Sequence, residues 1–327
     1  MKKSLTFIIG IIEIFGIWAG TSSSAWACDL CSVYSASRAE GESRNGFRGG
    51  LAEQFTHFGT LKSDGTTIDN SANQSLNSSI TQFFLLDTIS ERFAVQANFP
   101  LIVRSYKRTS ATNPSGFDQG TVSGLGDSTL LGKYTAYHRA DENLLMSWIL
   151  MGGVKLPTGS PSRIDEELSE SDFPAGIPAS GIHGHDLALG TGSLDEVLGT
   201  SLDVRHERLI VQTHAQYTFR NAGHLGYRYA NDFMWSVGPG YYLSLQHAST
   251  LNLMFSASGE IKGLDTFLGR SADDTGVKSI FIGPQLNATL GDKMAAVLAL
   301  DVPIFMNTTA YQLAPSSRIR ANLALQF

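Results

Sequence analysis

The last ten residues of the chain alternate without a break. Ile319, Ala321, Leu323, Leu325 and Phe327 hold one set of positions, and Arg318, Arg320, Asn322, Ala324 and Gln326 hold the other. A period of two puts successive side chains on opposite faces of a β-strand. The same alternation recurs upstream. One stretch carries Phe93, Val95, Ala97, Phe99, Leu101 and Val103, and another carries Leu209, Val211, Thr213, Ala215, Tyr217 and Phe219. Further apolar sets are Trp235, Val237, Pro239, Tyr241, Leu243 and Leu245, then Leu251, Leu253, Phe255 and Ala257, then Ile280, Ile282, Pro284, Leu286, Ala288 and Leu290. The positions between them are polar or small, which suits a protein-lined lumen better than open solvent.

This reading predicts strands near 47–60, 75–89, 93–106, 126–139, 144–157, 194–205, 208–220, 232–246, 249–260, 276–290, 294–305 and 317–327. Joins such as Ser90-Glu91-Arg92, His206-Glu207 and Gly291-Asp292-Lys293 are tight, while those near 61–74, 107–125, 158–193, 221–231, 261–275 and 306–316 are long and polar. Short and long joins take turns along the whole chain. A secreted β-sandwich has no reason to do this, whereas an outer-membrane barrel has short periplasmic turns and long external loops. The expected fold is therefore all-β, a transmembrane antiparallel up-and-down β-barrel of twelve strands with both ends on the periplasmic side. Trp148, Trp235, Tyr217, Phe219 and Phe327 are candidates for its aromatic girdles. The phase of the first two strands is left open by Glu53, Gln54 and Gln82.

Composition narrows the class further. Only 17% of the 327 residues are charged and 33 are Gly, whereas a soluble domain carries about 25% charged residues. With 24 basic against 30 acidic residues, there is no broad basic surface for nucleic acid. Two Cys cannot staple a chain of this length, and beyond residue 20 no apolar run is long enough for a membrane helix. Met1-Lys2-Lys3, the apolar run Leu5 to Trp18 and Ala25-Trp26-Ala27 read as a secretory signal cleaved after Ala27. The expected organisation is 1–27 signal peptide, 28–46 periplasmic N-terminal segment and 47–327 barrel.

Candidate chemistry lies in three places. Parity assigns Arg104, Asp127, Lys133, Lys155, Asp203 and Arg205 to the lumen, followed by Arg220, Lys278, Asp301, Arg318 and Arg320, with His214 facing the same way. In lipid an Arg or Lys near the midplane would cost up to about 2–4 kcal/mol, so the charges either pair and fill the barrel or line a solute path. Cys28-Asp29-Leu30-Cys31 lacks the His that haem attachment needs. A disulfide loop, a redox or metal role, a partner-docking arm and lipidation of Cys28 stay open, and residues 28–46 are also placed to fold into the barrel mouth. His183, His185 and Asp186 share the longest external loop with Asp165, Glu166, Glu167, Glu170 and Asp172. Two His and an Asp can hold a divalent metal and carboxylates can hold Ca²⁺, but the plain expectation is a solvated, mobile loop without metal or cofactor. An enzyme is not expected. No Gly-x-Ser-x-Gly occurs, His214 has no activated nucleophile evident beside it, and parity puts His138 and Ser128 on one outward face about 33 Å apart.

Three Gly-containing segments add a resemblance. Residues 124–134 read Gly-Leu-Gly-Asp-Ser-Thr-Leu-Leu-Gly-Lys-Tyr, 153–160 read Gly-Val-Lys-Leu-Pro-Thr-Gly-Ser, and 189–195 read Leu-Gly-Thr-Gly-Ser-Leu-Asp. Together they resemble the outer-membrane "transporter" family named for meta-pathway phenol degradation. The resemblance implies a barrel with a channel-like role in the uptake of aromatic or poorly soluble compounds, and it carries no catalytic residues. Barrel width grows with strand number, so twelve strands should leave a narrow or gated path. The expected function is passage of small solutes across the bacterial outer membrane, with the lipid bilayer and the solute as partners. The alternative is a closed structural or docking barrel whose CxxC segment engages a periplasmic partner or electron carrier.

Overall fold

The computed structural model describes residues 46–110, 116–168, 179–246, 249–291 and 293–327. The expected signal peptide, Cys28, Cys31 and the rest of the N-terminal segment up to residue 45 lie outside the described residues, as do Glu170 and Asp172. The strands are β1 (Gly46–Ser63), β2 (Thr66–Thr67), β3 (Ser75–Ser90), β4 (Phe93–Thr109), β5 (Phe117–Leu125), β6 (Thr129–Ala140), β7 (Leu144–Lys155), β8 (Asp195–His206) and β9 (Leu209–Phe219). They continue with β10 (Tyr227–Arg228), β11 (Asp232–Gln246), β12 (Ser249–Lys262), β13 (Asp265–Phe267), β14 (Arg270–Ala272), β15 (Val277–Leu290), β16 (Met294–Thr308) and β17 (Tyr311–Gln326).

Twelve long strands form the wall, in the order β1, β3, β4, β6, β7, β8, β9, β11, β12, β15, β16, β17, each antiparallel to its neighbours. Each corresponds to a span predicted from alternation. The last strand closes on the first in a register that runs from Arg48 opposite Gln326 to Ser63 opposite Tyr311. Closure removes the sheet edge, which a hydrocarbon environment would leave without hydrogen-bond partners.

The two faces are inverted relative to a soluble protein. Phe255 on the outer wall is 55% exposed, whereas Arg104 inside is 0% exposed. Leu253, Leu298, Leu300, Val302, Ile319 and Leu323 also face outward. Trp148, Phe219 and Phe327 are exposed on this outer surface, and Trp235 and Tyr217 are half-buried. The open phase of the first strands is resolved. Gln54 and Gln82 turn inward and are buried, so Glu53 falls on the outer face, where its carboxylate accepts hydrogen bonds from Ser79 Oγ at 2.6 Å and Thr81 Oγ1 at 2.5 Å.

Three expectations need correction. The span predicted at 126–139 begins late, at Thr129, and the stretch 107–125 read as a long polar join carries β5. β5 pairs with the upper half of β4 and β6 with its lower half, and between them residues 126–128 leave the sheet. A Cβ on Gly126 would stand 2.7 Å from Ile102 Cδ1, so a larger residue here would have to push the Ile102 side chain aside. His138 does not face outward. A register shift between Thr135 and Tyr137 reverses the parity of the end of β6, and His138 lines an internal cavity. Lys278 does not share the lumen parity. It lies opposite Ile261 and Asn307 at the start of β15, on the phase of the outward Ile280 and Ile282, and is half-buried. At that rim its long stem can run along apolar wall while the ammonium stays near water.

Candidate functional site: an inserted loop above a lumen cavity

The connection between β7 and β8 enters the barrel. Its two ends are tied together by Asp127, the residue at the break between β5 and β6. One Asp127 oxygen accepts from the Gly159 amide at 3.0 Å, and the other accepts from the amide and hydroxyl of Thr191, each at 2.9 Å. Lys155 reaches the same carboxylate at 2.5 Å and Asp195 at 2.9 Å. Asp195 also receives Arg220 at 3.2 Å, and Arg220 in turn pairs with Asp232. The backbone must come very close for this. A Cβ on Gly190 would lie 2.5 Å from both Asp127 Oδ1 and the Gly159 carbonyl oxygen. The three Gly-containing segments singled out in the sequence thus converge on one buried, fully paired carboxylate.

Between those ends the loop packs like a core. Leu189 joins Ala52, Ile80, Phe84, Ile102 and Ala324 of the wall. Ile182 and Leu187 join Phe58, Leu61, Leu76, Tyr106 and Leu313. Ile164 and Ala188 pack with Tyr227 and Tyr229. The backbone is satisfied by inward-facing wall residues. Arg104 Nη1 donates to the Ala188 carbonyl, Gln74 accepts from the Gly181 amide at 3.0 Å, and the Leu313 amide donates to the Gly181 carbonyl at 2.8 Å. The expectation of a solvated loop is therefore overturned for the described part of this segment. Its apolar residues are too few to show a period, and their partners are remote in sequence.

Beneath the loop, toward the end that carries the short turns, lies a cavity of about 240 Å³. Apolar side chains (Leu86, Ile149, Ile210, Tyr242) share its lining with Lys133, Asp203, Arg205, Arg320, Asn252 and Gln285. Of the lumen candidates, only Lys133, Asp203, Arg205 and Arg320 border it. Arg104, Asp127, Lys155 and Arg220 serve the inserted loop and its anchorage. Asp301 is gripped by Arg318 at 3.1 Å and by Arg320 at 2.7 and 3.0 Å, while Arg318 also stacks 4.1 Å over Phe281. His214 is buried in the wall opposite Ser201 and Ser236. His138, Ser147 and Asp203 lie side by side on β6, β7 and β8 and all line the cavity. Ser147 stands between the other two, so the acid flanks the hydroxyl and not the imidazole, the wrong order for an activated serine.

The histidines of the loop are drawn together with three carboxylates. The helical turn α1 (Gly184–Leu187) begins just after His183, and the two imidazoles stack with centroids 5.5 Å apart. His185 Nδ1 lies 2.9 Å from Glu167, which belongs to the 3-10 turn Ser162–Leu168, and His183 Nε2 lies 3.3 Å from Asp274. Burial opposes a charge on His185, yet Asp186 and Glu167 hold its pKa well above the usual imidazole value. Burial also opposes charge on Glu167, but His185 brings its carboxyl below the ordinary range. Asp274 and Glu167 were not both legible as partners, because one comes from the β14–β15 join.

A closed antiparallel wall with an apolar exterior and a charged, buried interior is the fold of a bacterial outer-membrane β-barrel. Solved structures bear this out. The chain matches an outer membrane channel from Pseudomonas putida F1 with a TM-score of 0.57 and 16% identity, over 93% of this chain and 100% of that one. Weaker likenesses are to the transport unit of the autotransporter AIDA-I from Escherichia coli (TM-score 0.44, 9% identity, 88% and 91% covered) and the beta domain of the Bordetella autotransporter BrkA (0.43, 10%, 86% and 99%). No protein-family model matches the chain, and no curated protein matches it.

Proposed function

We propose that this barrel is a selective conduit for small solutes across the bacterial outer membrane, with the inserted β7–β8 loop as its gate. The observation that carries the proposal is the loop held over a cavity of about 240 Å³. A barrel serving only as a scaffold gains nothing from leaving such a space. The mixed lining suits a small molecule with an apolar body and a polar end, because apolar walls bind the body and a few placed polar groups orient it. The resemblance to the phenol-degradation transporter family and the likeness to the Pseudomonas putida outer membrane channel both favour passage over catalysis. Aromatic or otherwise hydrophobic compounds are the solute class proposed. The test is flux of a small aromatic alcohol into proteoliposomes. Flux above protein-free vesicles, cut several-fold by Leu86→Trp in the cavity wall, is expected. Flux no greater than that of empty vesicles favours the closed docking barrel instead.

A further inference from the structure

We propose that His183, His185 and Asp186 bind one first-row divalent cation of the zinc class, which clips the inserted loop in place. One ligand atom from each residue lies within 4.8 Å of the others. His183 is 7% exposed, and its Nδ1 has no hydrogen-bond partner among the described residues. Such a buried nitrogen is costly unless something takes its lone pair.

The two imidazoles are held in the same way. His183 presents Nε2 to Asp274 at 3.3 Å, and His185 presents Nδ1 to Glu167 at 2.9 Å. Each therefore turns its second nitrogen toward Asp186: His185 Nε2 at 3.4 Å from Oδ1, His183 Nδ1 at 3.8 Å from Oδ2. Metal-ligating histidines are held like this, an outer carboxylate fixing tautomer and ring orientation. Asp186 Oδ2 is already occupied by the His183 amide at 2.9 Å, which leaves Oδ1 for the ion. Donors bonded at ~2.0–2.1 Å to a tetrahedral ion stand about 3.4 Å apart, which is the separation of His185 Nε2 from Asp186 Oδ1; the whole set lies within 4.8 Å, so the ion has to draw the remaining donors in. Two imidazoles and a carboxylate suit zinc, with a fourth position left to solvent, and do not suit calcium, which takes oxygen ligands. Three carboxylates meet two imidazoles here, so a cation offsets a surplus of negative charge.

The position gives the ion its effect. Glu167 belongs to the first half of the inserted loop, His183 to Asp186 to the second half, and Asp274 to the join before β15. An ion at this point ties all three together.

The test uses the untagged full-length barrel in detergent, stripped with chelator and carrying Cys28→Ser and Cys31→Ser so that thiols cannot hold the metal. Titration with Co²⁺ and Zn²⁺ should give one ion per chain, with the visible absorption of tetrahedral Co²⁺, and Ca²⁺ should not compete. His183→Gln and His185→Gln should each weaken Zn²⁺ binding by at least a hundredfold, and Glu167→Gln or Asp274→Asn by about 10–100-fold. Heat-modified mobility confirms that each barrel is folded, since the loop is not part of the wall. No stoichiometric binding by the parent, or parent-like affinity in the His183→Gln/His185→Gln double variant, overturns the site.

Discussion

Asp127 ties both ends of the inserted loop to the wall. It accepts two backbone amides, a hydroxyl and an ammonium at once, and all of these groups are buried. Removing one partner of such a network strands the rest, at a cost of about 3 kcal/mol. Asp127→Ala should therefore raise the open population of the loop roughly a hundredfold, one factor of ten for each 1.4 kcal/mol. Trypsin cleavage at Arg163 reads this directly, since Arg163 lies in the first half of the loop. Gly190→Ala should act in the same direction, because its Cβ would meet Asp127 Oδ1 and the Gly159 carbonyl. Overpacking of this kind costs about 1–3 kcal/mol, and cleavage should quicken by at least fivefold. An unchanged cleavage rate in both variants would show that the knot does not hold the loop.

At the scale of the strands, the wall follows from alternation and tests by register. Leu323 faces outward and Asn322 inward, opposite Leu51 and Ala52 of β1. Leu323→Arg puts a guanidinium in the hydrocarbon, at up to about 2–4 kcal/mol, and should lower the yield of the folded, heat-modifiable form. Asn322→Arg should leave that yield near the parent's; equal loss in both contradicts the register. All twelve wall strands were legible because lipid and lumen impose opposite polarity on adjacent residues. Parity fails where the backbone breaks step. The shift between Thr135 and Tyr137 turned His138 inward, and the break at Gly126 answers to Ile102 across the sheet, a contact that no local period encodes. The inserted loop was hidden for a related reason. Ile182, Leu187 and Leu189 owe their burial to Phe58, Phe84 and Tyr106, which are near in space and far in sequence. The three Gly-containing segments stood out as motifs, yet their common purpose is visible only where they meet at Asp127.

The whole molecule is a closed wall, a packed loop in the half that carries the long connections, and a cavity in the half that carries the short turns. Lumen charges divide along the same line. Asp127, Lys155, Asp195 and Arg220 anchor the loop, while Lys133, Asp203, Arg205 and Arg320 line the cavity. Pairing alone would fill a barrel. Here pairing holds a separate element in the lumen, and the wall closes without it, because β7 and β8 pair directly along their length. The most direct test of the account is single-channel conductance in planar bilayers, comparing the full chain with a variant in which residues 161–188 are replaced by a short Gly-Ser linker. The account predicts small or intermittent current through the full chain and a steady conductance at least severalfold larger through the variant. Equal conductance in the two, with the variant folded and inserted, would contradict it.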